Sequence, residues 1–516
     1  MARAAGIIMV FNVAGMLLGF VREQVIAARF GTSMLTDAYI MAFTLPNLIY
    51  VIVGGALATA FIPVFTEISV HRSREEAARM SSTIINITLL GMVALVIPCM
   101  MLAPYLVSVI APGFTGEKRE LTILLTRIMF PCMIFLASSL LLGGIMNALK
   151  HFKVPALYHA IFSAVMILSI YLFTPGYGII GLGIGTILAC IVQVLVAVLY
   201  LGRIKFSYRL EIKRSLPGIK QVFTLMLPAM VGTSINQLSI TIDKILASGL
   251  IHGSIASLNF ASQLMMLPYN LFVVAINTAL FPNLSEMAAR KNYEEIGRTT
   301  VFGLNLIFFC TIPAAVGLFV IAEPLVRLIF EHGAFDARST QMTVFALRFY
   351  VLALISQGAY TVMNRTFFAL QDTKTPVKVS LCDVAVHLAA SLLLIGPLSH
   401  GGLALGTSIG ATVNMILIYI LLRRRVRTLP ERRLFVTLSK ILLASVLMGT
   451  GVYFFQAEMG QWLNLSLLSN QIIEVLSSIL LGVIIFTLVI LPMKIEEADY
   501  VKNLVRQRWA DKFRAT

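Results

Sequence analysis

The chain has 516 residues, of which 58% are hydrophobic and only 12% charged, and its mean hydropathy is +0.90. Soluble domains carry about 25% charged residues, so this chain cannot cover a water-facing surface, and the bilayer must be the solvent for much of it. The net charge of +16 does not point to nucleic acid. Its basic residues sit in short loops between apolar runs, the placement by which a membrane protein fixes its orientation.

A spanning helix needs about 20 mostly apolar residues. On that basis the sequence predicts an all-α integral membrane protein with fourteen spans, over 5–29, 36–61, 82–111, 121–148, 154–174, 178–202, 218–250, 255–283, 300–322, 339–370, 377–396, 402–422, 435–456 and 472–492. The first run is long enough to span and precedes no small-residue cleavage site, so it is expected to be a membrane helix and not a cleavable signal. Pro46 and Pro268 fall inside predicted spans, where kinks are expected. Cys99, Cys132, Cys190, Cys310 and Cys382 all lie in apolar segments without a CxxC pair, which suits small buried hydrophobes and gives no sign of a disulfide framework or a metal site.

Placing the N-terminus in the cytoplasm puts twenty-nine Lys and Arg residues on the inside and four (Lys118, Arg119, Arg327 and Arg338) on the outside. That asymmetry predicts that both termini are cytoplasmic and supports an even helix count, since one missed helix would invert every later loop.

The sequence also repeats. Thr59-Ala-Phe-Ile-Pro63-Val-Phe-Thr-Glu67 matches Thr278-Ala-Leu-Phe-Pro282-Asn-Leu-Ser-Glu286. Ala148-Leu149 with Lys153 and Pro155 matches Ala369-Leu370 with Lys374 and Pro376, and Gly181-Leu-Gly-Ile-Gly185-Thr186 matches Gly402-Leu-Ala-Leu-Gly406-Thr407. The three pairs share nearly one spacing, which predicts two parallel six-helix lobes. The expected division is an N-lobe over 1–203 and a basic cytoplasmic linker over 204–220. A C-lobe follows over 221–423, then the two extra helices with a basic cytoplasmic tail over 424–516. Parallel repeats suit alternating access.

Charges inside spans are few, and such residues are functional candidates. Arg22 and Arg29 share one face of the first helix, and Gly15 and Gly19 precede them in a GxxxG pattern that permits close helix contact. A guanidinium stays charged when desolvated and offers forked donors to phosphate oxygens. The bland alternative has Arg29 snorkelling to the interface and Arg22 pairing with a nearby carboxylate such as Asp37. Asp243 and Lys244 lie about 100° apart on helix seven; a buried Asp invites a coupling cation or proton, and a structural ion pair is the alternative. Asp383 and His387 are four apart and can touch, which allows a proton-linked role or a merely satisfied imidazole. No P-loop, HExxH, GxSxG or acidic metal loop is present, so the sequence predicts no enzyme and no cofactor beyond a possible coupling ion, H+ or Na+, or the membrane potential.

Several stretches resemble the MurJ (MviN) lipid II flippase family of the multidrug/oligosaccharidyl-lipid/polysaccharide exporter superfamily. They are Gly19-Phe-Val-Arg22-Glu23, Ala27-Ala28-Arg29-Phe30-Gly31, Thr36-Asp37-Ala38, Leu45-Pro46-Asn47, Ala279-Leu-Phe-Pro282-Asn-Leu-Ser285, Phe330-Glu-His-Gly333-Ala-Phe335 and Gln371-Asp372-Thr-Lys374-Thr-Pro376-Val377-Lys378. The resemblance covers helices 1–12 in order. It implies a flippase in the bacterial cytoplasmic membrane that moves undecaprenyl-diphosphate-linked disaccharide-pentapeptide outward, with the diphosphate held by arginines of a central cavity. The two extra helices would form a groove for the lipid tail.

On that resemblance Arg22 and Asp37 fall at functional positions, with Arg29, Lys244 and Arg365 as further substrate-binding candidates. Met16, Ile49-Tyr50-Val51 and Gln263 stand where many members carry basic residues, so this cavity is expected to be less cationic, with Lys244 and Arg365 as the compensating charges. Asp243, Leu403 and Thr407 resemble parts of a sodium site, but His387 and Ser391 replace its amide and carboxylate ligands. Expected partners are the lipid-linked precursor, membrane lipids and cell-wall synthesis enzymes. The competing readings are an exporter of another polyprenyl-linked saccharide or an amphipathic drug, a non-transporting cell-wall scaffold and, weakest, a membrane transferase.

Overall fold

The structure is a computed structural model. It describes residues 2–213, 215–462, 464–465, 467–500 and 502–503, with 2–9, 235–236 and 461–462 described by their backbone alone. Arg214 and the basic tail beyond 503 that the sequence places in the cytoplasm lie outside the described residues.

Among the described residues all the regular structure is helical. The elements are α1 (Ala2–Phe30), α2 (Met34–Ile49), α3 (Gly55–His71), α4 (Arg74–Met101), α5 (Ala103–Ile110), α6 (Gly116–Met129), α7 (Cys132–Ala148), α8 (Lys153–Arg203) and α9 (Ile219–Ala247). They continue with α10 (Ser254–Pro268), α11 (Val274–Ala289), α12 (Tyr293–Val320), α13 (Ala322–Phe330), α14 (Ala337–Ala369), α15 (Lys374–Leu398), α16 (His400–Arg425), α17 (Glu431–Trp462) and α18 (Leu468–Ile490). In hydrocarbon every backbone N–H and C=O must be bonded within the protein, which leaves helices as the default span.

Among the described residues, eleven helices are long and apolar enough to cross a membrane, and two bent pairs, α6 with α7 and the two parts of α9, bring the number to thirteen. One of the eleven counts twice. As a straight rod the 51 residues of α8 would reach about 76 Å, far beyond a hydrocarbon core of about 30 Å. The helix instead folds back at Gly178, whose φ of 54° and ψ of −135° are not helical. A Cβ on Gly181 would lie 2.7 Å from the Phe173 carbonyl carbon, and one on Gly185 would lie 2.6 Å from Ser169 Cβ. Two antiparallel spans result, and the total is the fourteen that the sequence predicts.

The same turn recurs in the second half, at the spacing that separates Gly181 from Gly402. Ser399 has φ 50° and ψ −131° between α15 and α16, and a Cβ on Gly402 or Gly406 would collide with Leu394 or Ser391. The spacing of Pro63 from Pro282 is matched too. A π-helical turn at Tyr50–Gly54 joins α2 to α3, and one at Tyr269–Val273 joins α10 to α11, at that same interval. Each lies downstream of the proline where a kink is expected, Pro46 or Pro268; a proline leaves a carbonyl of the preceding turn unbonded, which favours such irregular turns. The short helices α5 and α13 stand at this interval as well; the sequence predicts one uninterrupted span over 82–111 where α5 lies, and a loop after 322 where α13 lies. The internal repeat therefore holds at the level of backbone irregularities, which chance similarity of apolar runs would not produce.

Packing divides the chain into two compact units: residues Met1–Ala256 with His332–Phe335, and Ser257–Glu331 with Asp336–Thr516. The repeat-based division places the boundary in the 204–220 linker; by contacts, α9 belongs with the first unit, where it packs on α3. The first unit has one core around Phe61, Phe65, Met80 and Ile145 and another around Phe30, Leu125, Met129 and Leu182. The second is built around Ile307, Val362, Phe367, Ile418 and Ile441. All five cysteines are free thiols.

The linker after α8 is fastened to α4. Arg79 Nε donates to Glu211 Oε1 at 2.9 Å, Asn86 Nδ2 donates to the carbonyls of Arg209 and Glu211, and Arg209 N donates to Ser82 Oγ at 3.1 Å. The hydrogen bond from Arg79 holds the Glu211 carboxyl below its ordinary range. A depressed carboxylate stabilises the folded form above its unfolded pKa, about 4.3 for Glu, and that contribution is lost as pH falls through the lower folded value. The strap should therefore stay attached between pH 7 and 5. Limited trypsin digestion of the purified protein should leave 203–220 protected at pH 7, whereas Arg79→Ala should be cut there first. A second expectation concerns the α8 hairpin. Gly178→Ala places a side chain at a positive φ and should lower thermal stability by about 1–3 kcal/mol, while Ser399→Gly should not; thermal unfolding in detergent reads both.

Candidate functional site

The sequence candidates fall into three places. The first is a buried joint at the N-terminus of α2. Ser33 caps this helix, accepting from Thr36 N, and the Thr36 hydroxyl donates to the Gly31 carbonyl at 2.8 Å. That short turn aims Asp37 inward, where it is 1% exposed. Its Oδ2 accepts from Lys118 Nζ at 2.8 Å and from Gly253 N at 2.8 Å, and its Oδ1 accepts from Ala256 N at 2.9 Å. The two amides belong to the opening turn of α10, so the carboxylate caps a second helix with its charge at the positive end of that helix's dipole.

Lys118 is 5% exposed and lies 4.0 Å from the centre of the Phe114 ring and 3.5 Å from His252 Nδ1. Gly253 makes this geometry possible: its φ is +91°, and any Cβ would collide with the Thr32 carbonyl oxygen. Beside the joint, Ala334 N donates to the Ala28 carbonyl at 2.8 Å. Asp37, expected from the resemblance to bind substrate, is fully engaged by protein donors here. Nor is it the partner of Arg22.

The second place is the midsection of α1. Arg22 pairs with its neighbour Glu23 at 2.7 Å, and its guanidinium lies 5.4 Å from the centre of the Phe162 ring. Its side chain remains 21% exposed. The GxxxG glycines work as the sequence suggests: Cβ atoms at Gly15 and Gly19 would meet His159 Cβ at 3.2 Å and Ser163 Oγ at 3.7 Å, so α1 lies close against α8. Arg22 is eight residues from the end of α1, about 12 Å of axial rise, well inside the span. Arg29 is exposed near that end and donates to Thr174 Oγ1 at 3.2 Å. In the same unit, Lys244 Nζ donates to Thr44 Oγ1 at 3.2 Å. Arg365 is an exposed residue of the second unit, 5.4 Å from the Phe281 ring.

The third place is the α15–α16 hairpin, in the second unit. His387 Nε2 lies 3.4 Å from Thr407 Oγ1, and that hydroxyl is within 3.1 Å of the Leu403 carbonyl. The Ser391 hydroxyl is buried and has no hydrogen-bond partner. Asp383 sits one turn before His387, and both crowd Gly410. Asp243 is in α9 of the first unit. Within the hairpin the donors are one imidazole, two hydroxyls and one carbonyl, with a carboxylate one turn away. A hard cation prefers oxygen ligands, and an imidazole nitrogen occupies the middle of this set.

Sequence reasoning missed Lys118, which reads as an ordinary loop lysine, and the two amides that bind Asp37, which have no side-chain signature.

The comparisons with known proteins agree with this architecture. The family described as "Lipid II flippase MurJ" matches residues 26–473. The lipid II flippase MurJ of Burkholderia cenocepacia is 30% identical over 427 residues, covering 80% of this chain and 82% of that protein. The probable lipid II flippase MurJ of Rickettsia prowazekii is 29% identical over 491 residues, covering 93% and 96%. Among solved structures, a lipid II flippase MurJ in an inward closed conformation superposes with a TM-score of 0.80 at 27% identity, covering 96% of this chain and 100% of that one. An inward-facing multidrug resistance MATE transporter shares the fold, with a TM-score of 0.70 at 15% identity over 81% and 99%.

Lys118→Ala would leave the Asp37 charge buried with two amide donors only. It should cost about 3 kcal/mol or more in unfolding free energy, and adding Asp37→Ala should recover part of that loss in a double-mutant cycle. The family model spans residues 26–473 of 516, and the chain belongs to the lipid II flippase MurJ family.

Proposed function

We propose that this chain carries lipid II, the undecaprenyl-diphosphate-linked disaccharide-pentapeptide, from the inner to the outer leaflet of a bacterial cytoplasmic membrane by alternating access, without chemical change to the lipid. Family membership across residues 26–473 is the observation that carries this reading. The chemistry of Arg22 supports it. A guanidinium has five N–H donors, and the hydrogen bond to Glu23 engages one of them. The others suit the oxygens of a diphosphate, and a half-buried site strengthens such charge-assisted bonds. Arg29 and Lys244 are the further cations of that unit. Both termini face the cytoplasm in this reading, supported by the Lys and Arg asymmetry of the loops. The Asp37 joint then lies at the outer end of the spans.

Rescue of a strain depleted of its own lipid II flippase tests the reading. The wild-type chain should restore growth. Arg22→Ala, at matched expression, should lose roughly tenfold or more in activity, the worth of one charge-assisted contact, and Arg22→Lys should recover part. Full growth with Arg22→Ala would contradict the assignment of Arg22.

For energy coupling, His387 with Asp383 supports protons or the membrane potential over sodium, because imidazole titrates near neutral pH and is a poor ligand for a hard cation. Transport in vesicles should respond to a pH gradient or voltage and be unchanged when potassium replaces sodium on both sides. Dependence on a sodium gradient alone would overturn this assignment.

A further inference from the structure

The linker between the halves has a second face, at Leu210 and Ile212, that the described residues leave exposed. Its backbone groups at Arg209 and Glu211 are bound by Ser82 and Asn86, and the side chains of those two residues reach Glu75 and Arg79 on α4. The residues between and beside them alternate with these. Leu210 is 88% exposed and Ile212 46%, while Tyr208, 50% exposed, turns its hydroxyl inward and donates to Asn86 Oδ1 at 2.5 Å. An apolar side chain exposed on a spanning helix faces lipid tails and needs no further account. Leu210 lies outside every spanning helix and is the most exposed large apolar side chain among the described residues.

The exposed charge that the linker itself leaves without an ion-pair partner is positive, while Glu75 on α4 is paired with Arg209. Arg203, Lys205 and Lys220 are exposed and have no ion-pair partner among the described residues. Lys213 is exposed beside them, pairing with Glu211 at 3.3 Å. Glu211 is the only acid between 203 and 220, and it is turned to Arg79.

We propose that this outer face of the strap docks on anionic phospholipid head groups of the leaflet beside it. Leu210 and Ile212 insert at the acyl-chain boundary, and Arg203, Lys205, Lys213 and Lys220 meet the phosphates. Apolar side chains flanked by exposed cations are what an anionic interface binds, and basic residues near such a surface act within a Debye length of it. The inner face of the same strap holds α4, so lipid composition acts on the first unit through a named contact. The inference does not depend on which substrate is carried.

The test uses the full chain with Trp462→Phe and Trp509→Phe, so that Leu210→Trp reports alone, reconstituted in phosphatidylcholine vesicles with or without phosphatidylglycerol. The expected result is a blue-shifted emission that is quenched by acyl-brominated lipid, more strongly with phosphatidylglycerol present. Lys205→Gln with Lys213→Gln and Lys220→Gln should remove the dependence on anionic lipid. Emission typical of water and unquenched in both compositions would overturn the proposal, as would a blue shift without quenching, which would assign the face to protein contact. A variant series that loses lipid contact yet still rescues growth would sink the regulatory part of this inference and leave the proposed function standing.

Discussion

A backbone in hydrocarbon has no water to bond to, so every departure from the helix must find its partners within the protein. That constraint explains where this chain is irregular. It turns at Gly178 and Ser399, widens at Tyr50–Gly54 and Tyr269–Val273, and breaks before α5 and α13. Each of these has a counterpart in the other half, whereas the break between α6 and α7 has none, since α14 runs unbroken from Ala337 to Ala369. Irregular backbone at membrane depth is costly, and its recurrence at the spacing of the sequence repeat means that both halves inherit the same solution.

The same economy governs charge. A carboxylate as buried as Asp37 persists only when its acceptor sites are filled, and a lysine and two helix-terminal amides fill them. This makes Asp37 a fastening between segments far apart in sequence. Arg22 is the contrasting case. It is anchored through one hydrogen bond and a ring, and it keeps donors and exposure in reserve. The first arrangement suits a joint and the second suits a ligand, although both residues look alike as isolated charges in an apolar sequence.

The sequence made the spans legible because twenty apolar residues in a row have few other uses. The repeat was legible through Pro63 and Pro282 and through the glycine pairs that let hairpin arms touch. The GxxxG contact of α1 was likewise readable, since glycine spacing alone decides how closely two helices approach. The partners of charged residues were not. Asp37 is bound by backbone groups that any residue would supply, and Arg22 turned to its neighbour Glu23, a choice fixed by the packing of α1 against α8. The strap is another case. Its polar bonds to Ser82, Asn86 and Arg79 join segments far apart in the chain, and composition showed only a basic linker.

The central claim is that this chain moves a diphosphate-linked lipid through the membrane. The most direct measurement is transbilayer movement of fluorescent lipid II in vesicles containing only the purified protein, compared with a polyprenyl-diphosphate carrying a different saccharide. The account predicts that lipid II reaches the opposite leaflet in the presence of the protein and stays behind in protein-free vesicles. Equal residence of lipid II in both preparations, with the protein folded and inserted, would contradict it.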